Sequence, residues 1–376
     1  MTTRRLLIGA GAAALAASGP ARAIPVPLPF AGKRKPPVDL SAIVRETGAP
    51  ALAAAVVTRK GFAFRGVAGR RRADRADPAT DADAWHLGSN TKAMTAALYA
   101  RYVEAGRARW GATLPRLMPD LKLHEAWAEV RIDDLLAHRS GVTDAGVVDA
   151  DFLASARATR LSARDQRTDV ARVLLAEPPM RPPGGFEYAN LNYVLAGAAI
   201  ERIAGRPWEE AIARDLFRAA GMSRAGFGAP AGAAPWGHQA AEGRLVPVDP
   251  SGIADNPPVL APAGEVNAPL EDYARFVRLF LTEGGGVLKP ETLARLARPW
   301  SGGDAQYGMG WQVFTGRPWA EGPVLAHEGS NTLWHASVVV APARSLAVIA
   351  CANTEAGGGA EACARAQQAL VKAFAA

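Results

Sequence analysis

Strand-like segments crowd the two ends of this 376-residue chain, and helix-like segments fill its middle. Near the start, residues 51–58 form an unbroken apolar run, Lys60-Gly61 is a turn signal and residues 62–67 alternate, the pattern of a hairpin. Near the end, residues 310–314, 324–327, 336–340 and 345–351 read as successive strands, and an Ala-rich helix closes the chain. Between them, helical spacing recurs at 132–137, 170–175, 191–203 and 272–281, broken by Pro/Gly loops such as 178–185. Strands cannot stay unpaired. The expectation is therefore an α/β fold with one antiparallel sheet built from both chain termini, flanked by helices, and with an inserted helical subdomain. The sheet lobe takes about residues 38–92 and 260–376, and the helical lobe about 93–259. No internal repeat is visible.

The first 23 residues read as an export signal. Arg4 and Arg5 form the charged start, residues 6–17 are apolar but too short to span a bilayer, and Ala21-Arg22-Ala23 is a small-x-small cleavage site. Thr3-Arg4-Arg5-Leu6-Leu7 resembles a twin-arginine signal, with an ordinary Sec signal as the alternative. The expectation is a periplasmic or secreted protein. Residues 24–37, basic and Pro-rich, read as a linker, and residues 38–376 as the folded domain. No later segment suits a membrane span.

A formal charge of +7 invites a nucleic-acid reading, but it falls to +4 without Arg4, Arg5 and Arg22. The remaining charge is dispersed, and the run Arg70-Arg71-Arg72 suits a solvated loop. The partner expected is a small-molecule or peptide substrate, not nucleic acid. The two cysteines, Cys351 and Cys363, are too few for a disulfide framework or a cysteine zinc site. They read as buried thiols or as one bridge. Neither a metal-binding His-Glu-x-x-His nor a phosphate loop occurs, so no cofactor is called for. The absence of Gly-x-Ser-x-Gly disfavours an α/β-hydrolase.

Three local motifs carry chemistry. Ser89-Asn90-Thr91-Lys92 opens a helical segment in which Met94, Leu98, Tyr102 and Val103 share a face and Gly106 is placed to end it. Positions i and i+3 face the same way, so the Ser89 hydroxyl and the Lys92 amine meet. A serine hydroxyl needs a base, and a lysine becomes one when burial or a neighbouring cation lowers its pKa. With 12 serines and 7 lysines in the chain, Ser-x-x-Lys arises by chance roughly 0.2 times, and it occurs once. Tyr188-Ala189-Asn190 follows a Pro-Pro-Gly-Gly loop; its phenol is a proton relay or a core aromatic, and its amide a donor to a substrate carbonyl or a holder of the lysine. His327-Glu328-Gly329-Ser330 ends a strand, where a glycine permits close approach and a following N–H can face a developing oxyanion.

The order Ser-x-x-Lys, Tyr-x-Asn and basic-x-Gly resembles the serine β-lactamases, D-alanyl-D-alanine peptidases and related esterases, closest to the class C branch. Leu135 through Gly141, Ile203-Ala204-Gly205, Gly221-Met222 and Tyr307 through Trp311 are similar to further landmarks of that family. The resemblance implies Ser89 as acylated nucleophile, Lys92 and Tyr188 sharing proton transfer, and Asn190 orienting. It places His327 and Gly329 on the substrate side and makes an oxyanion hole of the Ser89 and Ser330 backbone N–H groups. Where dedicated class C β-lactamases carry lysine then threonine, this chain has His327 and Glu328, which adds a negative charge beside the pocket. If protonated, His327 would hold an anionic substrate; otherwise it is a scaffold residue. The expected activity is acyl-enzyme hydrolysis of a β-lactam, D-alanyl peptide or ester. The rival expectation is a catalytically silent relative that binds peptidoglycan peptides.

Overall fold

β1 (Ala51–Thr58) is buried along seven of its eight residues and pairs on both edges, with β2 (Gly61–Gly69) on one side and β11 (Leu346–Ala352) on the other. That double pairing, first strand against last, closes the sheet from both ends of the chain. The computed structural model describes residues 37–300 and 306–375. The export signal and nearly all of the linker lie outside the described residues. The remaining strands are β3 (Ala84–His86), β4 (Gly226–Phe227), β5 (His238–Ala241), β6 (Arg244–Pro247), β7 (Val266–Pro269), β8 (Gln312–Phe314), β9 (Val324–Ser330) and β10 (His335–Ala341). The large sheet runs β2-β1-β11-β10-β9-β8, every pairing antiparallel. A short sheet β3-β7-β4 and the hairpin β5-β6 complete the strands.

The apolar run of β1 reflects burial on both faces. Ala51, Ala53, Ala55 and Val57 point into one core, while Leu52, Ala54 and Val56 point into the other. Six of the helices divide between those cores. On one face lie α1 (Leu40–Thr47) and α6 (Gly359–Phe374), whose Leu40, Cys363 and Leu370 are buried against Leu52 and Val348. On the other lie α2 (Thr91–Glu104), α3 (Ala163–Ala176), α4 (Asn190–Ala204) and α5 (Leu270–Leu279).

One expectation is revised and one alternative is decided. The segment after Ser89 is not a one-faced helix: α2 is buried on nearly every side, from Thr91 through Ala100, because α4 and the short helices Ala261–Gly264 and Trp208–Ile212 pack around it. Ala105 caps it and Gly106 takes a left-handed φ of 70°, as a helix-ending glycine does. Cys351 and Cys363 are free, buried thiols, and burial pushes both well above the usual thiol range. No helix among the described residues is long and apolar enough to cross a membrane.

Candidate active site

Ser89 sits in a single 3-10 turn, Gly88–Asn90, that leads into α2. The turn is wedged against the end of β9. A Cβ on Gly329 would come within 2.1 Å of Leu87 O and 2.6 Å of Ser89 N, and one on Gly88 within 2.4 Å of Ser330 N. All of those atoms are backbone, so no side-chain rotation relieves the clash. Gly88 also has φ +51°, in the left-handed region. Two glycines facing one another thus bring the Ser89 backbone and the Ser330 backbone to the same spot. Asn90 fastens the turn to the sheet: its Nδ2 donates to Leu87 O at 2.8 Å and Ala336 O at 3.2 Å, and its Oδ1 accepts from the Tyr273 hydroxyl at 3.0 Å.

Lys92 is fully buried one turn on, and its Nζ has three partners. They are Ser89 Oγ at 3.1 Å, Asn190 Oδ1 at 2.8 Å and Ala263 O at 2.9 Å. The last two are acceptors only. Two fixed acceptors thus aim Nζ, with the Ser89 hydroxyl as its third neighbour. Asn190 is held in turn by Asp144, whose Oδ2 accepts from Asn190 Nδ2 at 2.9 Å and from its backbone N–H at 2.8 Å, and whose Oδ1 accepts from Leu191 N–H at 3.0 Å. One carboxylate therefore caps the N-terminus of α4 and turns the Asn190 oxygen toward Lys92.

Tyr188 is 39% exposed, and its ring centroid lies 4.8 Å from Lys92 Nζ. Its hydroxyl makes no hydrogen bond among the described residues, so it meets Lys92 through the ring face. His138 backs it with a ring-to-ring distance of 4.4 Å. The His138 Nδ1 accepts from Ala189 N–H and from Asn192 Nδ2, both at 3.2 Å, and its carbonyl accepts from Glu187 N–H. Arg139 and Gly141 exchange further backbone bonds with residues 181–184, so the His138–Gly141 stretch is the template on which the Tyr188 loop lies. Burial first, then Lys92 and His327, hold the His138 imidazole well below its ordinary value.

His327 departs from the cationic role. Its Nε2 pairs with the Tyr307 hydroxyl at 3.0 Å and its Nδ1 with Glu328 O at 2.7 Å, so Nδ1–H donates to the carbonyl and Nε2 accepts from Tyr307. Both ring nitrogens are occupied within the protein. Burial, then the nearby Lys92, push the imidazole down to about 3, so it is neutral across the working pH range. Glu328 is corrected too. Strand side chains alternate, so Glu328 points to the opposite sheet face from His327, where its charge reaches Cys363 of α6. It adds no charge beside Lys92.

Three residues here escaped the sequence reading as site residues: Asp144, His138 and Tyr307. For Asp144 a signal existed, since α4 begins after Ala189, which has no capping side chain and requires a distant acceptor.

The Beta-lactamase family model matches residues 40–372, nearly the whole described chain. The chain belongs to the Beta-lactamase family. This Beta-lactamase family chain is 24% identical over 294 residues to the unguisins hydrolase ungD' of Aspergillus campestris, an alignment covering 72% of this chain and 52% of that protein. It spans about half or less of the length of the curated relatives it matches. Among solved structures, the octameric penicillin-binding protein homologue from Pyrococcus abyssi aligns with a TM-score of 0.73 at 21% identity, covering 88% of this chain and 75% of that one. SurE aligns at 0.70 and 24% identity, covering 89% and 73%. These likenesses establish the α/β fold with its antiparallel sheet, and family membership supports a hydrolase- or acyltransferase-type function.

Proposed function

We propose that this protein is a serine hydrolase that works through an acyl-enzyme on Ser89 and prefers an ester or amide with no carboxylate beside β9. The observation that carries the reading is the buried Lys92 amine, 3.1 Å from Ser89 Oγ and otherwise bonded to two acceptors only. In the first step the Ser89 oxygen bonds to the substrate carbonyl carbon while its proton passes to Lys92 Nζ. The carbonyl oxygen becomes an oxyanion facing the Ser89 and Ser330 N–H groups, which gain strength as charge develops. The proton then goes from Lys92 to the leaving alcohol or amine, while the exposed Tyr188 ring lies over Lys92 Nζ. Water cleaves the acyl-enzyme by the reverse sequence, and Asn190 keeps the amine aligned throughout.

The substrate preference rests on His327. A neutral imidazole with both nitrogens engaged offers no charge and no free hydrogen bond to a substrate carboxylate. The test is a three-substrate panel: nitrocefin, a p-nitrophenyl ester and a D-Ala-D-Ala peptide. The expected result is turnover of the neutral ester with the highest kcat/KM. Best turnover of either carboxylate-bearing substrate would overturn the preference. Failure of all three would favour the silent peptide-binding alternative.

A further inference from the structure

Behind the nucleophile turn lies a polar network that the reaction as described does not use. His86, fully buried at the end of β3, accepts the Gly88 N–H on Nδ1 at 3.1 Å and donates from Nε2 to Asp255 Oδ2 at 2.8 Å. The other oxygen, Asp255 Oδ1, accepts from Asn331 Nδ2 at 2.9 Å and from Asn256 N–H at 2.7 Å. Asn331 Nδ2 also donates to Ala254 O at 3.1 Å, and its Oδ1 caps Leu333 and Trp334 N–H groups at 3.1 and 3.2 Å. Trp334 in turn stacks on His86, centroids 5.6 Å apart. One carboxylate thus grips the residue before Ser89 through His86, and the residue after Ser330 directly.

Those are the two backbones whose N–H groups form the proposed oxyanion hole. We propose that Asp255 is a positioning residue that locks both halves of that hole in register, an inference that rests on the Ser89 acyl-enzyme reading. The physical need is plain. An oxyanion hole works only when its donors are fixed before charge develops. Here the donors come from separate segments, an α2 turn and a β9 end, which meet glycine to glycine; Asn90 ties the turn to Ala336 of β10, and the spacing to the residue after β9 needs a tie of its own. Asp255 supplies that spacing from a third element, the loop after β6. His86 has both nitrogens engaged, so it transmits the hold and is no proton acceptor for Ser89.

The test uses the full-length protein with Asp255→Ala, Asp255→Asn and Asn331→Ala. Hydrogen exchange is read at the peptides covering residues 86–90 and 330–334, alongside kcat, KM and affinity for a phenylboronic acid, whose Ser89 adduct puts an oxygen in the hole. For Asp255→Ala, exchange is expected to quicken at both peptides and to stay native at β1 and α4. Expected with it are a fall in kcat of about 10- to 100-fold, an equal loss of boronate affinity and a KM within about threefold. Asp255→Asn, which keeps one carbonyl acceptor, is expected to fall between. Faster exchange at one peptide only, exchange spread through the core, or unchanged boronate affinity would each overturn the proposal. The two readings fail separately. If the wild-type protein gives no Ser89 adduct with a fluorophosphonate, the function is wrong, and the two exchange peptides still decide whether Asp255 joins these segments.

Discussion

On one side of Ser89 stands a side chain, and on the other a backbone. The Lys92 side is a buried amine whose partners are all specified: Ser89, Asn190 and Ala263, with Asp144 behind Asn190. The β9 side presents main chain, glycines and a neutral histidine locked to Tyr307. The difference teaches where each kind of chemistry resides. Proton transfer needs a particular side chain at a particular spacing, whereas oxyanion binding needs only N–H groups held still. The first leaves a motif in the sequence; the second leaves glycines and a topology.

Substitutions sharpen or break that contrast. The largest effect is expected on the side-chain half: Lys92→Ala should lower kcat/KM on the order of 10³-fold, since general base catalysis is lost. Steady-state kinetics on the neutral ester measure it. Gly329→Ala comes next, with a loss of about 10²-fold from displaced hole donors and a falling Tm, because its Cβ would sit 2.1 Å from Leu87 O. A Gly329→Ala protein as active as the native one would break the contrast.

The third expected effect is on stability. His327→Ala should cost about 1–3 kcal/mol by leaving Tyr307 unpaired, and should slow charged and neutral substrates alike. The pH dependence has a definite sign. The imidazole is pushed from its ordinary 6.5 down to about 3 in the folded chain, so the unfolded chain binds the proton more readily. Its contribution is complete above about pH 6.5 and is lost as pH falls toward 3. Urea unfolding between pH 7 and 4 should therefore show a shallower loss in His327→Ala than in the native protein, and no His327 limb should appear in rate profiles between pH 5 and 8. The smallest effect is expected for Glu328→Gln: stability within about 0.5 kcal/mol by urea unfolding, and kcat/KM unchanged, because that side chain lies on the far sheet face.

The sheet was legible because each of its strands is bracketed by turn signals, and the apolar stretch of β1 is what burial on both faces requires. Ser89, Lys92, Tyr188 and Asn190 were legible as a set, and the fold does bring them together. Two features escaped for physical reasons. Helical spacing around Met94 and Leu98 reads the same whether one face or every face is buried, so the central position of α2 depends on what surrounds it. His86 and Asp255 lie 169 residues apart in the chain and Asp255 and Asn331 76, and no local pattern marks them. The placing of Glu328 beside the pocket was avoidable: neighbours in a strand face opposite ways, and His327 and Glu328 are neighbours.

The acyl-enzyme reading requires that Ser89 Oγ be the atom that bonds to substrate. The direct measurement is intact-mass and peptide mass spectrometry after incubation with a fluorophosphonate, on the native protein and on Ser89→Ala. The account predicts one adduct, mapped to the peptide containing Ser89, and none on the variant, which also loses ester turnover. An adduct on another serine, or a Ser89→Ala protein that still turns over the ester, would contradict it.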